Sequence, residues 1–244
     1  MGVLILGGTG EGRALARALV EAGGGRVVSS LAGRVSEPAL PVGEVRVGGF
    51  GGPEGLAAWL AENDVAVVVD ATHPFAARIS ASAVLACEWN ATPLLVLRRP
   101  GWREGPGDDW RRVPGVPAAA AALRDLPGTV LLTTGRGGLA HFADLPHRFV
   151  IRTVDPPEPP LPADHEVLLA RGPYDLASER TLFEAYGVRV LVTKDSGGDL
   201  TAAKLAVARE RGVPVIVVDR PPYPTDSVPV VSDVGSAVAW LASR

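Results

Sequence analysis

Val3-Leu4-Ile5-Leu6 feeds Gly7-Gly8-Thr9-Gly10-Glu11-Gly12-Arg13, which opens a helix read over Ala14 to Glu21. An apolar strand, a glycine loop and a helix in that order make a phosphate-binding start. Glycines let backbone N–H groups approach an anion, and the helix N-terminus favours negative charge. Arg13 stands where a strict G-x-G-x-x-G carries its third glycine, so the fingerprint is degenerate. An ordinary tight turn is the alternative reading, but four glycines in six residues cost more backbone entropy than a turn requires. The second strand, Arg26 to Leu31, bears on the cofactor. NAD-binding folds place Asp or Glu near its end for the ribose hydroxyls, whereas this chain offers Ser29, Ser30 and then Arg34, a set suited to the 2'-phosphate of NADP.

With 244 residues, 47% hydrophobic and 21% charged, the chain can bury a core, which excludes disorder and fits one large α/β domain or two small ones. A net charge of -3 leaves no broad footprint for nucleic acid, so an anionic ligand must be met locally. The single cysteine, Cys87, lies in an Ala-rich helical stretch and reads as a core thiol; a disulfide framework and a cysteine metal site are excluded, and no metal is expected. The chain starts on a strand rather than a charged leader, and no apolar run reaches the ~20 residues of a membrane span. A cytoplasmic enzyme with no membrane partner is the expectation.

Strands alternate with helices, which argues a mainly parallel sheet. The pattern also repeats. Val65 to Val69, a polar turn, a helix from Ala76 to Trp89 and the strand Thr92-Pro93-Leu94-Leu95-Val96-Leu97 recur as Val188 to Val192, a polar turn, a helix from Leu200 to Arg211 and Val213-Pro214-Val215-Ile216-Val217-Val218. Pro93 and Pro214 stand 121 residues apart, half the chain. Each half begins with an apolar strand and a glycine loop, the second being Val130-Leu131-Leu132 into Thr133-Thr134-Gly135-Arg136-Gly137-Gly138. Each ends with a short strand and an Ala-rich helix, Pro117 to Leu126 and Val234 to Ser243. The expected fold is therefore α/β: two similar Rossmann-like halves, residues 1–126 and 127–244 joined near Pro127-Gly128, with a ligand cleft between them. Arg99 to Pro117 and Asp155 to Ala163 read as loops.

The polar turns carry the chemistry. In Asp70-Ala71-Thr72-His73-Pro74-Phe75, Asp70 or Thr72 could cap a helix, and His73 could be structural or catalytic. In Thr193-Lys194-Asp195-Ser196-Gly197-Gly198, capping explains Asp195, Ser196 and the glycines but not Lys194. Only two lysines, Lys194 and Lys204, occur among 24 basic residues, and both fall in this stretch, Lys204 one turn from Thr201. Ammonium and guanidinium differ in geometry and in how burial shifts their pKa, so an anion-binding or acid-base role is indicated for Lys194. Arg136 and Arg171-Gly172-Pro173-Tyr174 add donors suited to carboxylates.

Gly7 to Arg13, Asp70-Ala71-Thr72-His73-Pro74-Phe75-Ala76, Leu97-Arg98-Arg99-Pro100-Gly101-Trp102, Arg171-Gly172-Pro173-Tyr174 and Thr193 to Gly198 together closely resemble the precorrin-6A reductase family of cobalamin biosynthesis, almost end to end. The resemblance implies an NADPH-dependent reduction of one double bond in a ring-contracted tetrapyrrole, precorrin-6A or its cobalt complex, giving precorrin-6B. It implies NADPH on the first half, with its pyrophosphate over Gly7, Gly8, Thr9, Gly10, Glu11, Gly12 and Arg13 and its 2'-phosphate near Ser29, Ser30 and Arg34. Thr72, His73, Pro74 and Phe75 would flank the nicotinamide. The macrocycle, rich in carboxylates, would be held by Arg136, Arg171, Tyr174, Lys194, Ser196, Gly197, Thr201 and Lys204, with Lys194, His73 and Asp195 as candidate proton donors. Two other readings remain open on the residues alone: another NADP-dependent reductase of a polyanionic small molecule, and a nucleotide-sensing module without chemistry.

Overall fold

The computed structural model describes residues 2–23, 25–33 and 40–244. Arg34 lies outside the described residues. The chain begins β1 (Gly2–Leu6), α1 (Gly10–Glu21), β2 (Val27–Leu31), β3 (Glu44–Val47), α2 (Pro53–Glu62), β4 (Val65–Asp70), α3 (Ala77–Trp89) and β5 (Leu94–Leu97). It continues with β6 (Trp110–Val113), α4 (Val116–Ala122), β7 (Thr129–Thr133), β8 (Phe149–Thr153), β9 (His165–Leu169), α5 (Leu176–Ala185), β10 (Val188–Lys194), α6 (Ala203–Glu210) and β11 (Val215–Val218), and ends with β12 (Val230–Val231) and α7 (Val234–Ala242). The helix starting at Gly10 rather than Ala14 takes the glycine loop's end into its own first turn, because Thr9 caps it.

Two six-stranded sheets form, and all their pairings are parallel: β12-β5-β4-β1-β2-β3 and β6-β11-β10-β7-β8-β9. Continuous apolar strands such as Val-Leu-Ile-Leu and Val-Val-Val are what two covered faces demand. In the first unit, Val3, Ile5, Val67 and Val69 pack on one face with Leu15, Leu19, Ala237 and Leu241 of α1 and α7. Leu4, Leu6 and Val68 pack on the other with Leu56, Leu60, Ala83 and Ala86 of α2 and α3. In the second, Leu131, Val150, Leu191 and Val217 pack against Phe183 of α5 and Leu205 and Ala208 of α6.

The domain boundary differs from the one expected. The units are residues 1–100 with 221–244, and residues 101–220. The join at Pro127-Gly128 marks the sequence repeat but not the division of the fold. β6 and α4, which close the first repeat, complete the second unit, and β12 and α7, which close the second repeat, complete the first. The chain changes unit at Pro100-Gly101 and at Arg220-Pro221, where proline ends ladder pairing. Each arriving segment is caught by a carboxylate at the end of a central strand. The Trp102 N–H donates to Asp195 Oδ1 at 2.9 Å in the second unit, and the Tyr223 hydroxyl donates to Asp70 Oδ2 at 3.0 Å in the first. Gly101 is obligatory there, since a Cβ would stand 2.7 Å from Asp195 Oδ2.

Candidate active site

Thr9 organises the first glycine loop. Its hydroxyl accepts the Gly12 N–H at 3.1 Å and donates to Ala71 O at 2.7 Å, so its side chain is turned inward and the loop presents backbone, not hydroxyl, to a ligand. Gly8 has φ +114° and open space where a Cβ would point, while a Cβ on Gly12 would press on Ala71 and Thr9 at 3.4 Å. The Gly7 N–H donates to Ser30 O at 2.9 Å, fixing the loop to the end of β2. Glu11, expected beside the cofactor, is engaged by Arg99 at 2.6 Å. Gly10 and Arg13 lie in the first turns of α1.

At the end of β2 the two serines part company. Ser29 is 1% exposed, on the face that packs against α1 and α7, and its Oγ has no partner among the described residues; the expected contact with a surface phosphate is corrected, because strand parity turns it into the core. Ser30 points to the other face and accepts from Arg46 Nη1 at 3.3 Å. Arg46, absent from the sequence reading, also donates to Gly48 O and Gly49 O at 2.6 and 2.7 Å and stacks 3.7 Å over the Phe50 ring. Only the register, which pairs Ser30 with Arg46, brings it to this strand end.

At the end of β4 the buried Asp70 carboxylate accepts four hydrogen bonds. Oδ1 takes the Thr72 N–H and hydroxyl at 3.0 and 2.6 Å, and Oδ2 takes the hydroxyls of Ser80 and Tyr223 at 2.6 and 3.0 Å. Thr72-His73-Pro74-Phe75 is thereby held in place, with the Phe75 N–H donating to His73 Nδ1 at 3.3 Å and the two rings 5.8 Å apart. Asp70, Thr72, His73, Arg98, Pro221 and Tyr223 line a small cavity. Burial, reinforced by the Asp70 charge, drives the Tyr223 phenol well above its ordinary pKa, so it stays a donor. Burial likewise pushes Cys87 up to about 12, leaving an inert thiol.

The second unit supplies a different set. Its glycine loop runs into a single 3-10 turn, Leu139–Phe142, and Arg136 lies 3.9 Å from Asp155 with its side chain partly exposed. Lys194 closes β10, and burial lowers its pKa. The Ser196 N–H donates to Lys194 O at 2.7 Å, and Gly197 and Gly198 take φ of +65° and +70°, a turn that glycine alone adopts without strain. Arg171 is exposed, and Tyr174 donates to Ala170 O at 2.9 Å with its ring under the Arg152 guanidinium at 4.0 Å.

Two expectations fail here. Asp195, offered as a proton donor, is buried and committed to Trp102, to Arg112 at 3.3 Å and to Arg220 at 3.8 Å; it is an anchor of the crossing chain. Lys204, offered as a substrate contact, is 3% exposed. Its ammonium donates to Thr201 O at 2.6 Å and sits 4.7 Å over Trp102, next to the buried Arg152–Glu179 ion pair at 2.8 Å. Burial first, then the Arg152 charge, brings its pKa down to about 7. Both misreadings share a cause, since neither Trp102 nor Arg112 is near Asp195 or Lys204 in sequence.

Among the described residues no group of three or more His, Cys, Asp or Glu could hold a metal ion, and no helix is long and apolar enough to cross a membrane. Two parallel sheets in Rossmann strand order, one opening on a glycine loop that caps a helix, place the chain among the Rossmann-like α/β proteins. The sequence model of the precorrin-6x reductases (CbiJ/CobK) matches residues 2–242, and the chain belongs to that family of oxidoreductases in cobalamin biosynthesis. It is 49% identical over 242 residues to a precorrin-6A reductase of Rhodococcus erythropolis, covering 99% of this chain and 97% of that one. It is 47% identical over 244 residues to one of Mycobacterium tuberculosis, with 98% and 97% covered. A solved structure, CobK precorrin-6A reductase, superposes with a TM-score of 0.92 at 40% identity over 100% of this chain and 97% of that one.

Proposed function

We propose that the protein reduces one double bond of the macrocycle precorrin-6A to give precorrin-6B, using NADPH. The observation that carries the reading is the capped, open glycine loop on the first unit of a chain that belongs to this reductase family. The loop fits a dinucleotide pyrophosphate, because Gly8 leaves open space beside backbone N–H groups at the start of α1. When bound, the reduced nicotinamide supplies the hydride. Backbone groups of the loop from Gly7 to Gly12, at Gly8 to Glu11 where the N–H groups are not committed to Ser30 or Thr9, hold the pyrophosphate, and Thr72, His73, Pro74 and Phe75, braced by Asp70, flank the nicotinamide.

The second unit offers substrate contacts: Arg136, Arg171, Lys194, Ser196, Gly197 and Thr201 meet carboxylates of the macrocycle, and Tyr174 supplies the edge of its ring. Hydride delivery to an electron-poor carbon leaves a proton to be placed on its neighbour, so catalysis is mainly positioning with one general acid. Lys194 and His73 are the candidates, and burial, which lowers the pKa of Lys194, makes its ammonium a better proton donor than an exposed lysine. Solvent protonation of a conjugated imine would need neither.

Anaerobic incubation with precorrin-6A and NADPH tests the reading. One NADPH should be consumed per macrocycle, with a product heavier by two hydrogens. Absence of NADPH oxidation, or equal affinity for NADPH and NADH, would overturn it.

A further inference from the structure

We propose that Arg46 is the residue through which the first unit recognises the 2'-phosphate of its dinucleotide, an assignment that rests on the NADPH reading above. Arg46 pairs with Ser30 across β2 and β3, and the carbonyl of Ser30 receives the Gly7 N–H. The glycine loop and Arg46 therefore share one end of the sheet. They lie two strand spacings apart, roughly 10 Å, within the length of a nucleoside monophosphate. Rossmann folds bind the adenosine ribose at the end of the second strand, and an arginine there accommodates a 2'-phosphate.

The guanidinium is arranged to receive an oxyanion from one side. Nη1 is taken by Ser30 Oγ and Gly48 O, Nη2 gives one hydrogen to Gly49 O, and Phe50 covers one ring-facing side at 3.7 Å. The Nε–H and the second Nη2 hydrogen have no partner among the described residues. Arg26, Arg180 and Arg209 use this same Nε and Nη2 pair to grip the carboxylates of Glu44, Glu210 and Asp108. Arg46 differs from those three in having no carboxylate within ion-pair distance among the described residues, and burial lowers its pKa. A half-buried cation held only by neutral acceptors gains from a phosphate that those arginines, already paired, do not need.

The test is equilibrium binding of NADPH and NADH to the full chain and to Arg46→Gln, with Arg34→Ala as a second variant. Arg46→Gln keeps an amide donor for Gly48 and Gly49 but removes the charge. It should weaken NADPH about 10- to 100-fold and leave NADH within about twofold, with the thermal midpoint nearly unchanged. Equal weakening of both cofactors would show a residue that only holds the Gly48-Gly49 turn and would overturn the assignment. So would retention of NADPH affinity in Arg46→Gln together with its loss in Arg34→Ala. A failure of the cofactor reading itself is visible beforehand, in an unaltered protein that does not prefer NADPH.

Discussion

In each unit an inner apolar strand, β1 or β7, runs into a glycine loop, yet one loop enters the twelve-residue α1 and the other a four-residue 3-10 turn. The difference decides where a pyrophosphate can be met by backbone alone. In the first unit, Thr9 caps a helix long enough to carry an aligned dipole. In the second, Gly135 and Gly138 take φ of +74° and +89° to turn the chain, no such helix follows, and the positive charge nearby is the side chain of Arg136. The buried polar groups differ in the same sense. The first unit braces the turn after β4 with hydroxyls on Asp70, whereas the second buries Arg152, Glu179 and Lys204 together. The same strand order thus carries two local arrangements: a backbone loop capped onto a helix in the first unit, and in the second a turn beside the side chain of Arg136, with Arg152, Glu179 and Lys204 buried in the same unit.

The most severe way to break that contrast is Glu179→Ala. It strands Arg152 beside Lys204 in a site where all three are buried, and removing one partner of a buried pair costs about 3–5 kcal/mol. Asp70→Asn in the first unit loses part of a hydroxyl network and should cost about 1–3 kcal/mol. Urea unfolding measures both. A cost below about 1 kcal/mol for Glu179→Ala would mean that the second unit's buried charges are solvated, and the contrast in core chemistry would fall.

What the sequence made legible follows the range of the interactions. The strand, glycine loop and helix at residues 3–21 are local, and so is the repeat that places Pro93 and Pro214 in equivalent strands. The exchange of end strands is not local. Trp110-Arg111-Arg112-Val113 is a partly exposed edge strand whose two arginines carry no mark of which sheet it joins. Tyr223 and Asp70 meet across 153 residues. Parity defeated the reading of Ser29, because one residue's shift separates a core face from the face that Ser30 and Arg46 share. Lys204 read as a substrate contact because its partners Trp102 and Arg152 lie on other elements.

Lys194→Ala sharpens the comparison from the substrate side. If the second unit meets carboxylates, this variant should keep NADPH affinity and lose about one to two decades in kcat/KM, the worth of a charge-assisted contact of about 1.5–3 kcal/mol. Partial rescue by Lys194→Arg would indicate carboxylate binding, and no rescue would fit proton donation. Unchanged turnover below saturation would remove Lys194 from the site. A matched pair of glycine variants addresses the loops. Gly8→Ala and Gly135→Ala both force a side chain to positive φ and should each cost about 1–3 kcal/mol of stability. Only Gly8→Ala should weaken NADPH, by tenfold or more. A similar loss of cofactor affinity from Gly135→Ala would show that the two loops are not distinct in role.

The effect smallest at any one pH near neutrality is a pH slope peculiar to the second unit. Native Lys204 has its pKa brought down to about 7, whereas an unfolded lysine titrates near 10.4. Between those values the unfolded chain holds a proton that the native protein lacks, so stability rises with pH by about 1.4 kcal/mol per unit and levels off below pH 7, where both forms are protonated. Lys204→Met removes that proton and fills the same space beside Trp102 without a charge. Other groups titrate alike in the two proteins, so the difference between their unfolding free energies isolates this residue. Unaltered protein should gain on the variant steadily from about pH 7 to 9. Parallel curves over that range would show that Lys204 stays protonated in the folded state, held by Glu179 and the Thr201 carbonyl despite its burial.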